Sequence, residues 1–176
     1  MSVFFTSDWH LDHQNIIKYC DRPFSSAKEM NEAIIQKHNA LVKPNDLVYN
    51  LGDVFMKSSD KYAEHLLSRF NGRIYIIIGS HDNRRQLLNL KNAGVIEGFY
   101  DTKEIKIDGK YIWLSHYPHR SWARSFHGSF HLFGHCHGRM PPYGKSFDVG
   151  VDCWDFAPVS FEQVCEKMQN LNQSND

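Results

Sequence analysis

The run Arg73-Ile74-Tyr75-Ile76-Ile77-Ile78-Gly79-Ser80-His81-Asp82-Asn83 decides how the chain folds. From Ile74 to Ile78 every side chain is apolar or aromatic, so a strand here is buried on both faces, as happens when both faces of a largely parallel sheet are covered. It then breaks into glycine, serine and three polar residues. Two upstream runs repeat the pattern. Val3-Phe4-Phe5-Thr6 leads into Ser7-Asp8-Trp9-His10, and Leu47-Val48-Tyr49-Asn50-Leu51 leads into Gly52-Asp53. Helical patterns separate the runs. Ser26 caps a helix to Leu41, with Glu29 three residues on, Met30, Ala33, Ile34 and Leu41 as its apolar face, and Pro44-Asn45-Asp46 as its stop. Residues 15–19 make a helical turn, 61–70 carry Ala63, Leu66, Leu67 and Phe70 at helical spacing, and 84–92 form a further helix. The alternation predicts an α/β chain with acidic and imidazole groups gathered at one sheet edge, where open α/β sheets take ligands.

Beyond residue 100 the pattern changes. Residues 101–107 and 110–114 alternate about Asp108-Gly109 like an antiparallel hairpin, which ends in Ser115-His116-Tyr117-Pro118. Phe130-His131-Leu132-Phe133 is a strand that enters Gly134-His135-Cys136-His137-Gly138. In an extended chain residues two apart point the same way, so both imidazoles face one site and Cys136 points elsewhere as a packed thiol. Residues 145–151 read as another strand and 160–171 as a C-terminal helix begun by Ser160, while the polar tail 169–176 is expected to fray.

A chain of 176 residues fits one domain spanning 1–176 with a core of its own. Lysine plus arginine and aspartate plus glutamate number 20 each, so no net field draws duplex nucleic acid or an anionic membrane. With neither a long apolar run nor a signal pattern, the expected location is the cytoplasm. The four cysteines lack CxxC spacing and are expected as reduced thiols.

In chain order, Asp8-Trp9-His10, Gly52-Asp53, Gly79-Ser80-His81-Asp82, His116 and Gly134-His135-Cys136-His137 supply oxygen and imidazole donors enough for two divalent ions. This series resembles the calcineurin-like metallophosphoesterase superfamily over residues 1–160. Asn15-Ile16-Ile17, Arg22-Pro23-Phe24 and Val149-Gly150-Val151-Asp152 with Pro158-Val159-Ser160 resemble its small, single-domain bacterial and phage branch. The resemblance implies a four-layer αββα sandwich, two β-sheets flanked by helices, with a binuclear site at the strand ends. It implies that Asp8, His10 and His137 hold one ion and that Asp53 bridges to a second held by His116 and His135. Imidazole and carboxylate donors suit manganese, iron, zinc, cobalt or nickel better than magnesium or calcium, and manganese is the expected ion. The implied activity is phosphodiester hydrolysis of a nucleotide or cyclic-nucleotide-like substrate by a metal-bridging hydroxide. A phosphomonoesterase of the same fold, or a binding module without catalysis, are the alternatives. His81 would stabilise charge or protonate the departing oxygen, with Asp82 orienting it or raising its pKa.

One position departs from the family pattern: Ser80 stands where the resemblance expects an asparagine ligand to the second metal. A hydroxyl is a shorter and poorer neutral donor, so that ion should bind more weakly. The chain is then an engineered variant, a natural member with altered metal affinity, or a degraded enzyme kept for binding. For the substrate, Arg120 and Arg124 are candidates to fork onto phosphate oxygens and Trp122 or Tyr117 to stack on a base. The competing reading makes Trp122 a loop anchor and the arginines solvated surface. Arg84 and Arg85, just past His81, have similar standing. Asp12, His13 and Arg22 either line the rim or make local turn contacts, and Asp152 either backs a ligand or closes a turn. His38, His65, His119, His127 and His131 have no motif support.

Overall fold

The computed structural model describes residues 1–173. In chain order it consists of β1 (Val3–Thr6), α1 (Gln14–Tyr19), α2 (Ala27–Leu41), β2 (Leu47–Asn50), α3 (Asp60–Leu67), β3 (Arg73–Ile77), α4 (Arg84–Asn92) and β4 (Gly98–Tyr100). There follow β5 (Thr102–Ile107), β6 (Lys110–Ser115), β7 (Phe130–Phe133), β8 (Ser146–Asp148), β9 (Val159–Ser160) and α5 (Phe161–Gln173). One sheet has the order β4-β3-β2-β1-β9, parallel except for antiparallel β9. The other has the order β5-β6-β7-β8, in which β5 and β6 form the hairpin and β7 and β8 run parallel to β6. The chain is thus a mixed α/β fold of two sheets flanked by helices.

The period-two alternation of the strands feeds two cores. Phe4, Val48, Ile74 and Ile76 pack on the helical side with Met30, Ile34, Leu66 and Leu87. Their neighbours Phe5, Tyr49 and Ile77 point the other way and meet Ile112, Leu114, Leu132 and Phe147 of the second sheet, with Val164 and Met168 of α5. That accounts for a β3 apolar on both faces, and each fully buried side chain of this kind contributes about 1.5–3 kcal/mol.

Several local expectations are met with adjustments. Ser26 caps α2 by accepting from the Glu29 N–H at 3.2 Å, but the Glu29 carboxylate reaches back to Ser25 N at 2.7 Å rather than to Ser26. Leu41, expected on the apolar face, is 49% exposed; Ile35 and His38 complete that face instead. The helix read over 61–70 stops at Leu67, and the strand read over 145–151 stops at Asp148, whose Oδ1 accepts from Gly150 N and turns the chain. The short strands β4 and β9 were not expected. Helix α5 continues to Gln173, through residues expected to fray, while 174–176 lie outside the described residues. Among the described residues no helix is long and apolar enough to cross a membrane.

Candidate metal centre

The loops that leave β1, β2, β3, β6 and β7 meet at one end of the two sheets. Backbone bonds lace them together: Asp8 N donates to Gly52 O at 2.9 Å, His10 N to Asp53 O at 2.9 Å, and Gly134 N to His116 O at 3.0 Å. The candidate ligands are not in extended chain. Asp8, His10, Asp53, His135 and His137 all have left-handed backbones, with φ of 58°, 48°, 54°, 69° and 49°. Each such residue costs roughly 1–2 kcal/mol when it is not glycine, and five of the twelve non-glycine residues with this backbone among the described residues are candidate ligands. The expectation that strand alternation sends His135 and His137 to one site is therefore corrected: a tight turn sends them to two neighbouring clusters.

Those clusters are Asp8, His10 and His137, and Asp53, His116 and His135; within each, one ligand atom per residue lies within 4.8 Å of the others. Asp53 sits between them. Its Oδ2 lies 3.6 Å from His10 Nε2, 3.4 Å from His116 Nε2 and 4.0 Å from His81 Nε2. Two of these nitrogens, His10 Nε2 and His116 Nε2, are buried and have no hydrogen-bond partner among the described residues. Buried polar atoms are almost always satisfied, so two orphans facing one carboxylate are what a cation-binding site requires. The donor set fits divalent metal ions.

The chain fixes these donors from behind. His116 Nδ1 meets the carbonyl of Leu51 at 2.8 Å; a carbonyl only accepts, so Nδ1 carries the proton and the Nε2 lone pair is free. His137 Nδ1 lies 2.7 Å from Asp152 Oδ2, and Asp152 takes a two-pronged contact from Arg22, 2.8 Å on each oxygen. The buried Arg22 guanidinium also donates to Asp8 O at 2.8 Å and Trp9 O at 3.1 Å. Of the two readings of Asp152, the geometry gives the one in which it backs a candidate ligand, His137. Arg22 is a strut beneath the centre and not part of its rim. Asp82 departs from expectation, since its carboxylate accepts from Asp53 N at 2.9 Å, Val54 N at 2.9 Å and Gly79 N at 2.8 Å, and makes no hydrogen bond to His81. A carboxylate satisfied by three backbone N–H groups clamps the Asp53 loop rather than tuning an imidazole. Asp148 does the same for Gly138 N and Gly150 N, a role no motif announced. Ser80 Oγ lies 3.1 Å from Asp53 Oδ2 and donates to that carboxylate. A Cβ on Gly134 would collide with Ser7 Oγ, and one on Gly79 with Asp53 Oδ1.

Burial pushes Asp8 up to about 7 and His10 down to about 3. Burial acts on Asp53 in the raising direction, but His116 and the N–H of His81 outweigh it and hold this carboxyl well below the usual range. For His116 and His137 burial works against the proton, yet Asp53 and Asp152 respectively hold their pKa values above the ordinary one. The centre thus carries opposed acid and base tendencies a few ångströms apart.

Among the candidate substrate contacts, Tyr117 reaches the centre. Its ring packs edge-on to His135 at 4.7 Å and it is 48% exposed. Trp122 turns inward as a loop anchor, with Nε1 donating to Ser129 Oγ at 3.0 Å and its ring 5.1 Å from His131. Arg124 is held on the hairpin, 3.3 Å from Glu104 and 4.2 Å over the Tyr111 ring, and Arg120 lies 5.5 Å from the Tyr143 ring. Arg84 pairs with Asp101. All four cysteines are free, and burial raises the Cys136 thiol.

The family model of the calcineurin-like phosphoesterases matches residues 1–167. The uncharacterized protein MJ1445 of Methanocaldococcus jannaschii is 33% identical over 175 residues, which is 95% of this chain and 91% of that one. The crystal structure of AQ665, a protein of unknown function from Aquifex aeolicus, superposes with a TM-score of 0.75 at 24% identity, covering 94% of this chain and 98% of that one. A structure described as that of a novel archaeal phosphodiesterase superposes with a TM-score of 0.50 at 18% identity over 85% and 82% of the two chains. At these identities the two structures attest the shared fold.

Proposed function

Because the chain belongs to the calcineurin-like phosphoesterase family, we propose that it is a phosphodiesterase in which the Asp8 and Asp53 clusters hold two divalent cations, manganese foremost. The observation that carries this is Asp53, whose Oδ2 faces the unpartnered, buried Nε2 atoms of His10 and His116 from the two separate clusters. When bound, such a pair of cations polarises phosphoryl oxygens and brings the pKa of water towards neutrality. The residues supply the rest. Asp82 pins the Asp53 loop, the Asp8 carboxylate accepts from His135 N at 2.9 Å and Asp53 Oδ1 from His81 N at 2.8 Å, and Arg22 with Asp152 holds the His137 ring. His81, 40% exposed and 4.0 Å from Asp53 Oδ2, stands at the solvent side of the centre, where it donates a proton to the departing oxygen. The exposed face of Tyr117 supports a substrate with an aromatic, nucleotide-like arm, and the archaeal neighbour described as a phosphodiesterase shares the fold. Ser80, placed to donate to Asp53, supports weaker binding of the second ion.

The test is manganese-dependent turnover of bis(p-nitrophenyl) phosphate, with metal count from anomalous scattering. Two ions per chain and a rate loss beyond about a hundredfold in Asp53→Ala are expected, since outer partners alone account for 10–100-fold. No turnover at saturating manganese, or full turnover in Asp53→Ala, overturns the proposal.

A further inference from the structure

A cavity of about 320 Å³ opens on the outer side of His81, lined also by Phe55, Lys57, Ser58, Asp60 and Arg85. Its size matches a site for one small organic group. Its wall carries two cations, Lys57 and Arg85, against one carboxylate, Asp60, which lies within reach of the Arg85 charge. Other arginines of the chain are matched to carboxylates: Arg69 to Glu32, Arg73 to Glu97 and Arg84 to Asp101. The side chains of Lys57 and Arg85 make no ion pair or hydrogen bond among the described residues. Asp60 shares the wall, but its two oxygens are engaged by neutral amides, Gln86 at 3.1 Å and Asn89 at 2.8 Å. At the start of α4, Asn83 Oδ1 already takes the N–H groups of Arg85 at 2.9 Å and Gln86 at 3.3 Å. An anion entering the cavity would thus be bound by side chains, with a guanidinium able to fork onto two oxygens and an ammonium beside it.

His81 joins this cavity to the centre, lining the one and standing 4.0 Å from Asp53 Oδ2 in the other. We infer that the cavity is a subsite for a second phosphate, carried by one of the groups esterified to the scissile phosphorus and held by Lys57 and Arg85. This rests on the phosphoester-hydrolase reading above and adds a substrate class to it: compounds with two phosphates separated by a short organic spacer.

The experiment compares binding of propyl phosphate and 1,3-propanediol bisphosphate to the manganese-loaded protein by titration calorimetry. The bisphosphate is expected to bind about tenfold tighter or more, the range of hydrogen bonds to a charged group. Lys57→Gln and Arg85→Gln should each erode that ratio, and the double variant should abolish it. Arg69→Gln, which removes a surface pair elsewhere, should keep it. Equal affinities for the two ligands, or a ratio undiminished in the double variant, overturn the subsite. Turnover of bis(p-nitrophenyl) phosphate reports the underlying reading separately: turnover without a bisphosphate preference rejects the subsite alone, and a preference without turnover rejects the hydrolase reading alone.

Discussion

His116 and His131 are buried imidazoles of the same sheet, one just past the end of β6 and the other within β7, and they are treated oppositely. His131 is fully partnered. Ser115 Oγ donates to Tyr117 O at 2.6 Å, so the His131 Nε2–H must donate to Ser115 Oγ at 2.8 Å, leaving Nδ1 to accept from Ser146 Oγ at 2.8 Å. Burial, aided by His119, pushes His131 down to about 3 and keeps it neutral. His116 has one nitrogen anchored on Leu51 O and the other left over, aimed at Asp53. A leftover nitrogen is not enough by itself. His38 Nδ1 also lacks a partner, but its ring packs among Trp9 and Phe70 and belongs to none of the candidate metal clusters. What sets the candidate ligand His116 apart is a spare lone pair facing a carboxylate, beside a second imidazole, His135.

The sharpest way to break this contrast is to replace each ring by phenylalanine. His116→Phe should cut manganese-dependent turnover by more than about a hundredfold, whereas His131→Phe should retain metal stoichiometry and instead lose about 1–3 kcal/mol in urea unfolding, because the buried Ser146 hydroxyl loses its partner. The reverse pattern would show that partner count does not separate ligand from scaffold. Next, Asp152→Asn should weaken metal binding about 10–100-fold by releasing His137, as calorimetric titration would show. A smaller effect lies in the acid limb of stability. With a folded pKa of about 3 against 6.5 unfolded, His131 binds fewer protons folded, so stability present above pH 6.5 is lost as the pH falls. Removing the ring should flatten the decline between pH 6.5 and about 5 by roughly 2 kcal/mol relative to the wild type, and unfolding curves across that interval would read it. The smallest change is expected from Ser80→Asn, which should tighten the second ion by up to about tenfold, the worth of one added donor to a charged partner; equal affinity and stoichiometry in the two proteins would discard the weakening role of Ser80.

The parts legible in the sequence are those that depend on local pattern. The apolar runs ending in Asp8, Asp53 and His81 gave β1 to β3 and their common edge, because a doubly buried strand needs no tertiary knowledge to be recognised. The paired spacing of Asp8 with His10 and of His135 with His137 picks out loops that the fold brings together, but left-handed turns and not strand pleating aim those side chains. Strands of two or three residues, such as β9 and β4, carry too little alternation to be seen. Arg22 and Asp152 are 130 residues apart, and Asp82 spends its carboxylate on backbone N–H groups, which leave no trace in residue types. The loop bearing Trp122 misleads because indole and guanidinium groups serve as readily to pin a segment as to bind a base.

The left-handed backbone at Asp8, His10, Asp53, His135 and His137 has a further consequence for how such a chain ages through mutation. At His10, His135 and His137 glycine, and to a lesser degree asparagine, relieves conformational strain, so changes that disarm the centre there also relax the scaffold. At Asp8 and Asp53 the effect is opposed, because their carboxylates accept from the N–H groups of His135 and His81. Selection for durability and selection for activity pull apart here residue by residue. A descendant freed from its chemical duty would drift toward a calmer, blank groove without ever passing through an unfolded ancestor.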